Sequence, residues 1–231
     1  MKTLAQGKGD KMSQWREAKK TVLEAARKIL EKGLVVGTAG NISLRLPPEG
    51  ERQLLAITPS SRHYDLLDVD DIQILDFDAQ RVEGNLRPSM ETPLHIGIYR
   101  ARKNVNAVIH THSVFASAAS VAGRDIPPIL DDQVAFLGGE IKLARHALSG
   151  SREQVTNVLA ALEDRSAVLL PNHGAVGTGL TMRDAFTACE LIEKTARIFL
   201  LALAAGKVNL VPAQALEADK ALYDKLQNAN E

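Results

Sequence analysis

Two histidines, His110 and His112, flank a single threonine at the end of an apolar run, residues 105–109, that predicts a buried strand. Residues i and i+2 of a strand point to the same side, so the two imidazoles stand side by side where the strand leaves the core. A third histidine, His173, follows a second apolar run over residues 167–170. Three imidazoles with an open fourth position are typical of catalytic zinc sites. The alternative is a set of histidines hydrogen-bonded in a core or interface, and the third histidine favours the metal.

Glu91 and Ser89 lie at the predicted start of a helix over residues 90–102. A serine at a helix N-terminus can cap the helix or bind a phosphate, and a carboxylate in the first turn is favoured by the helix dipole. The functional interpretation is that Glu91 lies beside the metal as a ligand or a base. His95 is one turn further along the same face, and we predict a supporting hydrogen bond between it and Glu91.

Three further segments carry groups that could bind or transfer protons. The amide of Asn41, after Gly40, could hold an anion or a hydroxyl, and Ser60 and Ser61 could form an anion-binding nest. Each of these segments alone is also typical of an ordinary turn. Asp131 begins a pair of carboxylates that could do acid–base work or form a solvated turn. The glycine-rich segments match neither a Walker loop nor a dinucleotide fingerprint, so nucleotide binding is not supported.

The elements that must position these residues alternate between helix and strand without a linker or a repeat. We predict a glycine-rich turn and strand within 34–46, and strands over 53–57, 72–77, 105–109, 141–143 and 167–170. We predict helices over 14–32, 90–102, 151–162, 181–205 and 212–227, with N-caps at Ser13, Ser89, Ser151 and Thr181. This pattern indicates one α/β domain over residues 1–231, with a flexible segment at 1–12 and helices on both faces of a mixed sheet.

Composition excludes several classes of partner. The 28 basic residues balance the 28 acidic ones, which gives a nucleic-acid partner no electrostatic support. No apolar run is long enough to span a bilayer and the N-terminus lacks the apolar core of a signal peptide, so we predict no membrane partner. Cys189 is the one cysteine and is predicted to lie in the core, whereas His63 and His146 are predicted to be exposed. A single cysteine favours a reducing compartment, and we predict a cytoplasmic protein.

Taken in order, Gly-Asn-Ile-Ser, Thr-Pro-Ser-Ser, Pro-Ser-x-Glu, His-Thr-His-Ser and Asn-His-Gly resemble the class II aldolase and adducin family over residues 15–212. The resemblance implies a three-layer α/β/α sandwich with a central mixed, mainly antiparallel sheet. It also implies a homotetramer with active sites at subunit interfaces. One zinc ion per chain is implied, with other divalent transition metals as alternatives. The implied zinc ligands are His110, His112 and His173, Glu91 is the implied acid/base residue, and the implied phosphate pocket comprises Asn41, Ser60, Ser61 and Ser89.

The chain departs from the family pattern at two positions. Met90 stands where the fuculose-phosphate aldolases have a second serine, and Asp131 stands where they have a tyrosine that acts as an acid. Tyr223 is similar in place to a tail tyrosine that closes the site in some relatives. Asp131 and Tyr223 are therefore the candidate proton donors. The family's epimerases typically carry aspartate at the position of Glu91, which favours an aldolase or a dehydratase here.

The leading hypothesis is a metal-dependent aldolase that makes or cleaves a carbon–carbon bond in a phosphorylated ketose through a zinc-stabilised enediolate. A pentulose-phosphate dehydratase or 4-epimerase on the same site is one alternative. A non-catalytic, adducin-like interaction module is another, and it would have no need to retain a metal ion.

Overall fold

The computed structural model describes the backbone of residues 2–228 and the side chains of residues 13–228. The helices in this range are α1 (Lys2–Glu31), α2 (Thr92–Ala101), α3 (Val114–Val121), α4 (Asp131–Leu137), α5 (Arg152–Leu162), α6 (Met182–Ala204) and α7 (Ala213–Gln227). The strands are β1 (Asn41–Glu49), β2 (Arg52–Ile57), β3 (Gln73–Asp76), β4 (Arg81–Glu83), β5 (Ala107–Thr111), β6 (Lys142–Leu143), β7 (Ala167–Leu170) and β8 (Gly174–Gly179). The flexibility predicted for residues 1–12 concerns a segment outside the residues whose side chains are described.

All eight strands of the described chain form one sheet in the order β4-β3-β2-β1-β5-β8-β7-β6. Each neighbouring pair is antiparallel except β6 and β7, which are parallel. The predicted mixed, mainly antiparallel sheet is therefore confirmed. Its centre matters for the site, because Asn41 of β1 lies opposite His110 of β5, and His110 lies opposite Val176 of β8.

Helices cover both faces of the sheet, which confirms the three-layer architecture. Leu55, Val108 and Val168 pack with α2 and α5 on one face. Their neighbours in sequence, such as Leu54 and Ile109, pack on the opposite face with α1 and α6. Successive strand residues point to opposite sides, so a strand with helices on both faces consists almost entirely of apolar residues.

Several predicted boundaries were wrong. Helix α1 begins at Lys2, so Ser13 lies inside the helix and is not its N-cap. The N-cap of α2 is Glu91 and not Ser89. Ser89 belongs to a preceding turn, in which its Oγ accepts a hydrogen bond from the Glu91 N–H at 3.2 Å. Asp131 opens α4 and does not form a turn. The capping box at Thr181 is confirmed by its reciprocal bonds with Asp184.

Helix α6 packs unusually close to β8 because β8 is rich in glycine. A Cβ placed on Gly177 would lie 2.7 Å from the Cys189 Sγ, which is too close for a side chain of any size. Cys189 is fully buried in this contact, as predicted, and burial raises the pKa of its thiol to about 12. Among the described helices, none has the length and apolar character needed to cross a membrane.

Candidate metal centre and active site

The three histidines predicted to bind a metal lie together at the end of the central strands. The Nε2 atom of His110 is 2.9 Å from Nε2 of His112 and 3.2 Å from Nε2 of His173. The ring centroids of the three imidazoles are 4.6 to 4.7 Å apart. His110 is held by β5, His112 follows that strand directly, and His173 lies in the turn between β7 and β8. The three ligand atoms can therefore reach one ion.

The turn that carries His173 depends on close contact between backbones. Asn172 has a left-handed backbone with φ of 56°, which asparagine tolerates better than most residues. A Cβ on Gly174 would lie 2.0 Å from the Thr111 carbonyl oxygen. Only glycine lets β8 begin this close to the end of β5, and this contact brings His173 to His112.

The imidazoles present lone pairs to the centre of the cluster. The Nδ1 of His110 lies 2.9 Å from the Ala175 carbonyl oxygen, so this nitrogen carries the proton and Nε2 is free. Burial, followed by repulsion from the other two histidines, lowers the pKa of His112 to about 4. Burial and repulsion from His110 also lower the pKa of His173. Neutral imidazoles are what a metal ion requires.

The spacing of these nitrogens fits a tetrahedral ion. With metal–nitrogen bonds of about 2.0–2.1 Å, ligand nitrogens in a tetrahedral site stand about 3.3–3.4 Å apart. The two measured Nε2 separations, 2.9 and 3.2 Å, are close to that value. Imidazole is a suitable ligand for zinc and for several other divalent transition metals. The donor set therefore fits a resident metal ion, with a fourth direction left for other groups.

Glu91 points its carboxylate at this cluster. Its Oε2 lies 3.1 Å from His110 Nε2 and accepts a hydrogen bond from the Asn41 amide at 2.9 Å. Its Oε1 accepts from Ser149 Oγ and Gln154 Nε2, both at 2.8 Å. Burial alone would raise the pKa of Glu91, but attraction to His110 in its protonated form and the hydrogen bonds from Asn41 and Gln154 outweigh it and hold the pKa well below its usual range. Glu91 is therefore an ionised carboxylate in a site where it is only 5% exposed.

Ser149 and Gln154 are site residues that the sequence did not reveal. Ser151 accepts from the Gln154 backbone N–H at 3.1 Å, as the predicted capping box requires. The Gln154 side chain does not complete that box. Its amide donates to Glu91, and its Oε1 accepts from the Gly150 N–H at 2.7 Å. Nothing in the local pattern around residue 154 indicated this distant contact.

The predicted link between the side chains of His95 and Glu91 is indirect, although the His95 backbone N–H donates to the Glu91 carbonyl oxygen at 3.3 Å. The Asn41 side chain stands between them, with its Oδ1 2.5 Å from His95 Nε2 and its Nδ2 on Glu91. Asn41 was expected to line a phosphate pocket. Although Asn41 does line the cavity beside the metal centre, both polar atoms of its side chain are used by these two neighbours.

A cavity of about 230 Å³ opens beside the three histidines. Ser60, Ser61 and Ser89, the other residues expected to bind phosphate, all line it, together with Met90. Ser60 and Ser61 face each other with their Oγ atoms 3.3 Å apart, and Met90 is 58% exposed. Four serines (Ser60, Ser61, Ser89 and Ser149), an ionised carboxylate and a candidate metal centre therefore share one small cavity.

The two candidate proton donors do not line this cavity. Tyr223 is buried beneath α4, where its hydroxyl donates to the Asp164 carbonyl oxygen at 2.7 Å and lies 2.9 Å from Ser166 Oγ. It lines a separate cavity of about 480 Å³. Asp131 is exposed in the first turn of α4. Within the described chain, neither residue is placed to give a proton to a group at the histidines. His63 and His146 are exposed, as predicted.

Comparisons with known proteins agree on one family. The model for the class II aldolase and adducin N-terminal domain matches residues 20–200. The 5-deoxy-D-ribulose 1-phosphate aldolase of Bacillus thuringiensis is 33% identical over 196 residues, 85% of this chain and 90% of that protein. The L-fuculose phosphate aldolase of Escherichia coli K12 is 33% identical over 79% of this chain and 82% of its own length. A solved L-fuculose 1-phosphate aldolase superposes with a TM-score of 0.84 at 30% identity, covering 90% of this chain and 96% of that one. The chain therefore belongs to the class II aldolase and adducin family.

Proposed function

We propose that the protein is a metal-dependent aldolase that cleaves or forms the bond between C3 and C4 of a ketose 1-phosphate. The observation that carries this proposal is the position of Glu91. Its ionised carboxylate lies 3.1 Å from His110 Nε2, at the edge of a cavity that is also lined by four serines. A base, a metal centre and groups for a phosphate are the parts that such a reaction requires.

We propose His110, His112 and His173 as the ligands and zinc as the ion, because three neutral imidazoles with an open position suit catalytic zinc. A bound divalent ion would supply Lewis-acid stabilisation for the negative charge that develops on the substrate's carbonyl oxygen. The remaining tasks belong to the side chains of this protein.

Glu91 is proposed to move the proton on C3. In the direction of synthesis, its carboxylate takes the proton from C3 of dihydroxyacetone phosphate, C3 bonds to the carbonyl carbon of an aldehyde, and the aldehyde oxygen takes a proton from solvent. In the direction of cleavage, the C4 hydroxyl gives its proton to solvent, the C3–C4 electron pair moves toward C2, and Glu91, protonated from solvent, gives a proton to C3. The hydrogen bonds from Asn41, Ser149 and Gln154 keep the carboxylate ionised and aimed at the cavity.

The phosphate is proposed to lie among Ser60, Ser61 and Ser89, which line the same cavity. The relatives described above are named for 5-deoxyribulose 1-phosphate and fuculose phosphate, and one from Rhodospirillum rubrum is also named for 5-methylthioribulose 1-phosphate. These ketose 1-phosphates share C1 to C3, so cleavage of each one releases dihydroxyacetone phosphate. They differ in the aldehyde that forms from C4 onward. We therefore propose ketose 1-phosphates as the substrate class.

A homotetramer and a cytoplasmic location stay predictions from the family resemblance and the single cysteine. That residues 1–231 form one domain also stays a prediction. Light scattering after gel filtration tests the assembly directly, with four times the chain mass of 25.0 kDa as the expected result.

The first test is hydrogen–deuterium exchange of dihydroxyacetone phosphate in D₂O, followed by NMR with metal-replete protein and no aldehyde. We expect deuterium at C3 with the wild type and none with His110→Ala, which loses a ligand. Wild-type protein that holds its metal without exchanging C3 would overturn the aldolase proposal. Incubation with each ketose 1-phosphate then separates aldol cleavage from loss of water and from inversion at C4. A chain that retains no metal would instead support an interaction module.

A further inference from the structure

We infer that His95 is a positioning residue that, in its Nε2–H tautomer, holds the Asn41 amide with its N–H group toward Glu91. His95 does not touch the cavity, and it is fully buried between α2 and β1. It is the middle member of a chain of hydrogen bonds that runs from Tyr99 to Glu91. The kinetic part of the inference rests on the proposed role of Glu91, whereas the tautomer can be measured without it.

The donor-to-acceptor direction of these hydrogen bonds follows from the end of the series at Glu91. All three side-chain partners of the carboxylate contain donors, and an ionised carboxylate can only accept. Asn41 must therefore present Nδ2 to Glu91, and its Oδ1 must face His95. Because Oδ1 is an acceptor, the His95 Nε2 that lies 2.5 Å away carries a proton.

The hydrogen bonds from Tyr99 to His95, in the other half of the series, have a fixed direction as well. Burial lowers the pKa of His95 to about 3, so the ring is neutral and its Nδ1 is an acceptor. The Ser43 hydroxyl, 2.6 Å away, donates to that nitrogen. With its one proton used, Ser43 accepts from the Tyr99 hydroxyl at 2.7 Å. Each group in the series Tyr99, Ser43, His95 and Asn41 thus donates toward Glu91, and aligned donors strengthen one another.

The backbone explains why these four side chains meet. Asn41 and Ser43 are residues i and i+2 of β1, and therefore point to the same face of the sheet. His95 and Tyr99 are residues i and i+4 of α2, and therefore lie one above the other on the helix. Arg45 fixes the far end of the series, since its guanidinium donates to the Tyr99 carbonyl oxygen at 2.7 Å and lies over the Tyr99 ring.

Reversal of the Asn41 amide shows what His95 does. A flipped amide would place Oδ1 against the Glu91 carboxylate and Nδ2 against the His95 N–H group. Two hydrogen bonds would become repulsive contacts between like partners, among side chains that are at most 5% exposed. His95 thus selects one of the two orientations of Asn41, and through it the position of the Glu91 carboxylate beside the metal centre.

The tautomer is tested first in the wild type. In protein labelled with ¹⁵N-histidine, the His95 ring should show a protonated Nε2 and an unprotonated Nδ1 at pH 7, and the signal is assigned by its loss in His95→Gln. A protonated Nδ1 would overturn the inference, with or without enzyme activity.

Kinetics separate positioning from a structural role. We expect His95→Leu to lower kcat for C3 exchange about 10–100-fold with little change in KM, as is common when a group that orients an active-site residue is removed. His95→Gln should recover most of that loss, because its amide can donate to Asn41 and accept from Ser43. The exposed His63→Gln serves as the matched control and should behave as the wild type. If the wild type exchanges C3 and His95→Leu has the same kcat, the positioning role is refuted. If the wild type does not exchange C3, the aldolase proposal alone is refuted.

Discussion

Replacement of Glu91 by glutamine is the sharpest test of the site, because it changes one oxygen to an amide nitrogen at constant shape. The carboxylate faces three donor groups, on Asn41, Ser149 and Gln154. A glutamine has a single acceptor oxygen, so its NH₂ group must face at least one of these donors. The Ser149 hydroxyl can rotate to accept, but the Asn41 and Gln154 amides cannot do so without breaking their own contacts with His95 and Gly150.

The magnitudes follow from these contacts. One buried amide loses its partner in the Glu91→Gln variant, which should lower the free energy of unfolding by about 1–3 kcal/mol. The loss of a positioned base should slow C3 exchange by about 10²–10⁴-fold. The three imidazoles are untouched, so the metal content should stay at the wild-type level.

The assay combines C3 exchange of dihydroxyacetone phosphate by NMR, metal analysis and urea unfolding on the same samples. Glu153→Gln is the matched control, since it removes an exposed carboxylate from the first turn of α5 next to Gln154. Exchange within a few-fold of the wild type would refute Glu91 as the base. Loss of the metal together with activity would show that Glu91 acts as a ligand instead.

Three further predictions concern groups outside the reaction itself. Burial lowers the pKa of folded His95 to about 3, whereas an exposed histidine has a pKa of about 6.5, so the unfolded chain binds the extra proton between these values. Below about pH 6.5 the free energy of unfolding should therefore fall by about 1.4 kcal/mol for each unit of decrease in pH. In urea titrations at several pH values, the free energy of unfolding of His95→Gln should fall less steeply as the pH falls. Tyr223→Phe should leave C3 exchange unchanged. It should lower the free energy of unfolding by about 1 kcal/mol, because the hydrogen bonds to Asp164 and Ser166 are lost. A large loss of C3 exchange in a folded Tyr223→Phe variant would restore Tyr223 as a proton donor. Gly177→Ala should lower the free energy of unfolding by about 1–3 kcal/mol, because the added Cβ overlaps Cys189. Adding Cys189→Ala to the same chain should recover part of this stability, as measured by thermal unfolding.

The parts of the fold that were predictable are those in which local pattern and burial agree. Strand β5 and the approach of His110 to His112 follow from an apolar run with a two-residue spacing at its end. The cap at Thr181 follows from two residues, three positions apart, that bond to each other. In each case the relevant partner lies within a few positions in the sequence.

Contacts between distant segments could not be predicted from one sequence. Gln154 has the spacing of a capping-box residue, but tertiary contact directs its side chain to Glu91. Strand β8 was missed because glycines replace the alternating apolar residues that identify a strand, and they do so because α6 lies so close. The location of Tyr223 depends on how α7 packs against α4, which no local pattern encodes.

The order of strands at the centre of the sheet has a consequence for how the protein would acquire a metal ion at the three histidines. His110 and His173 come into range when β5 pairs with β8, a step that joins segments far apart along the chain. Pairings of this kind form slowly, since closing long loops costs entropy before any contact compensates for it. Full coordination thus requires this long-range pairing, and the affinity for an ion would be coupled to the stability of the central strands. A chain made under metal starvation would lack that added stability from the moment of its synthesis.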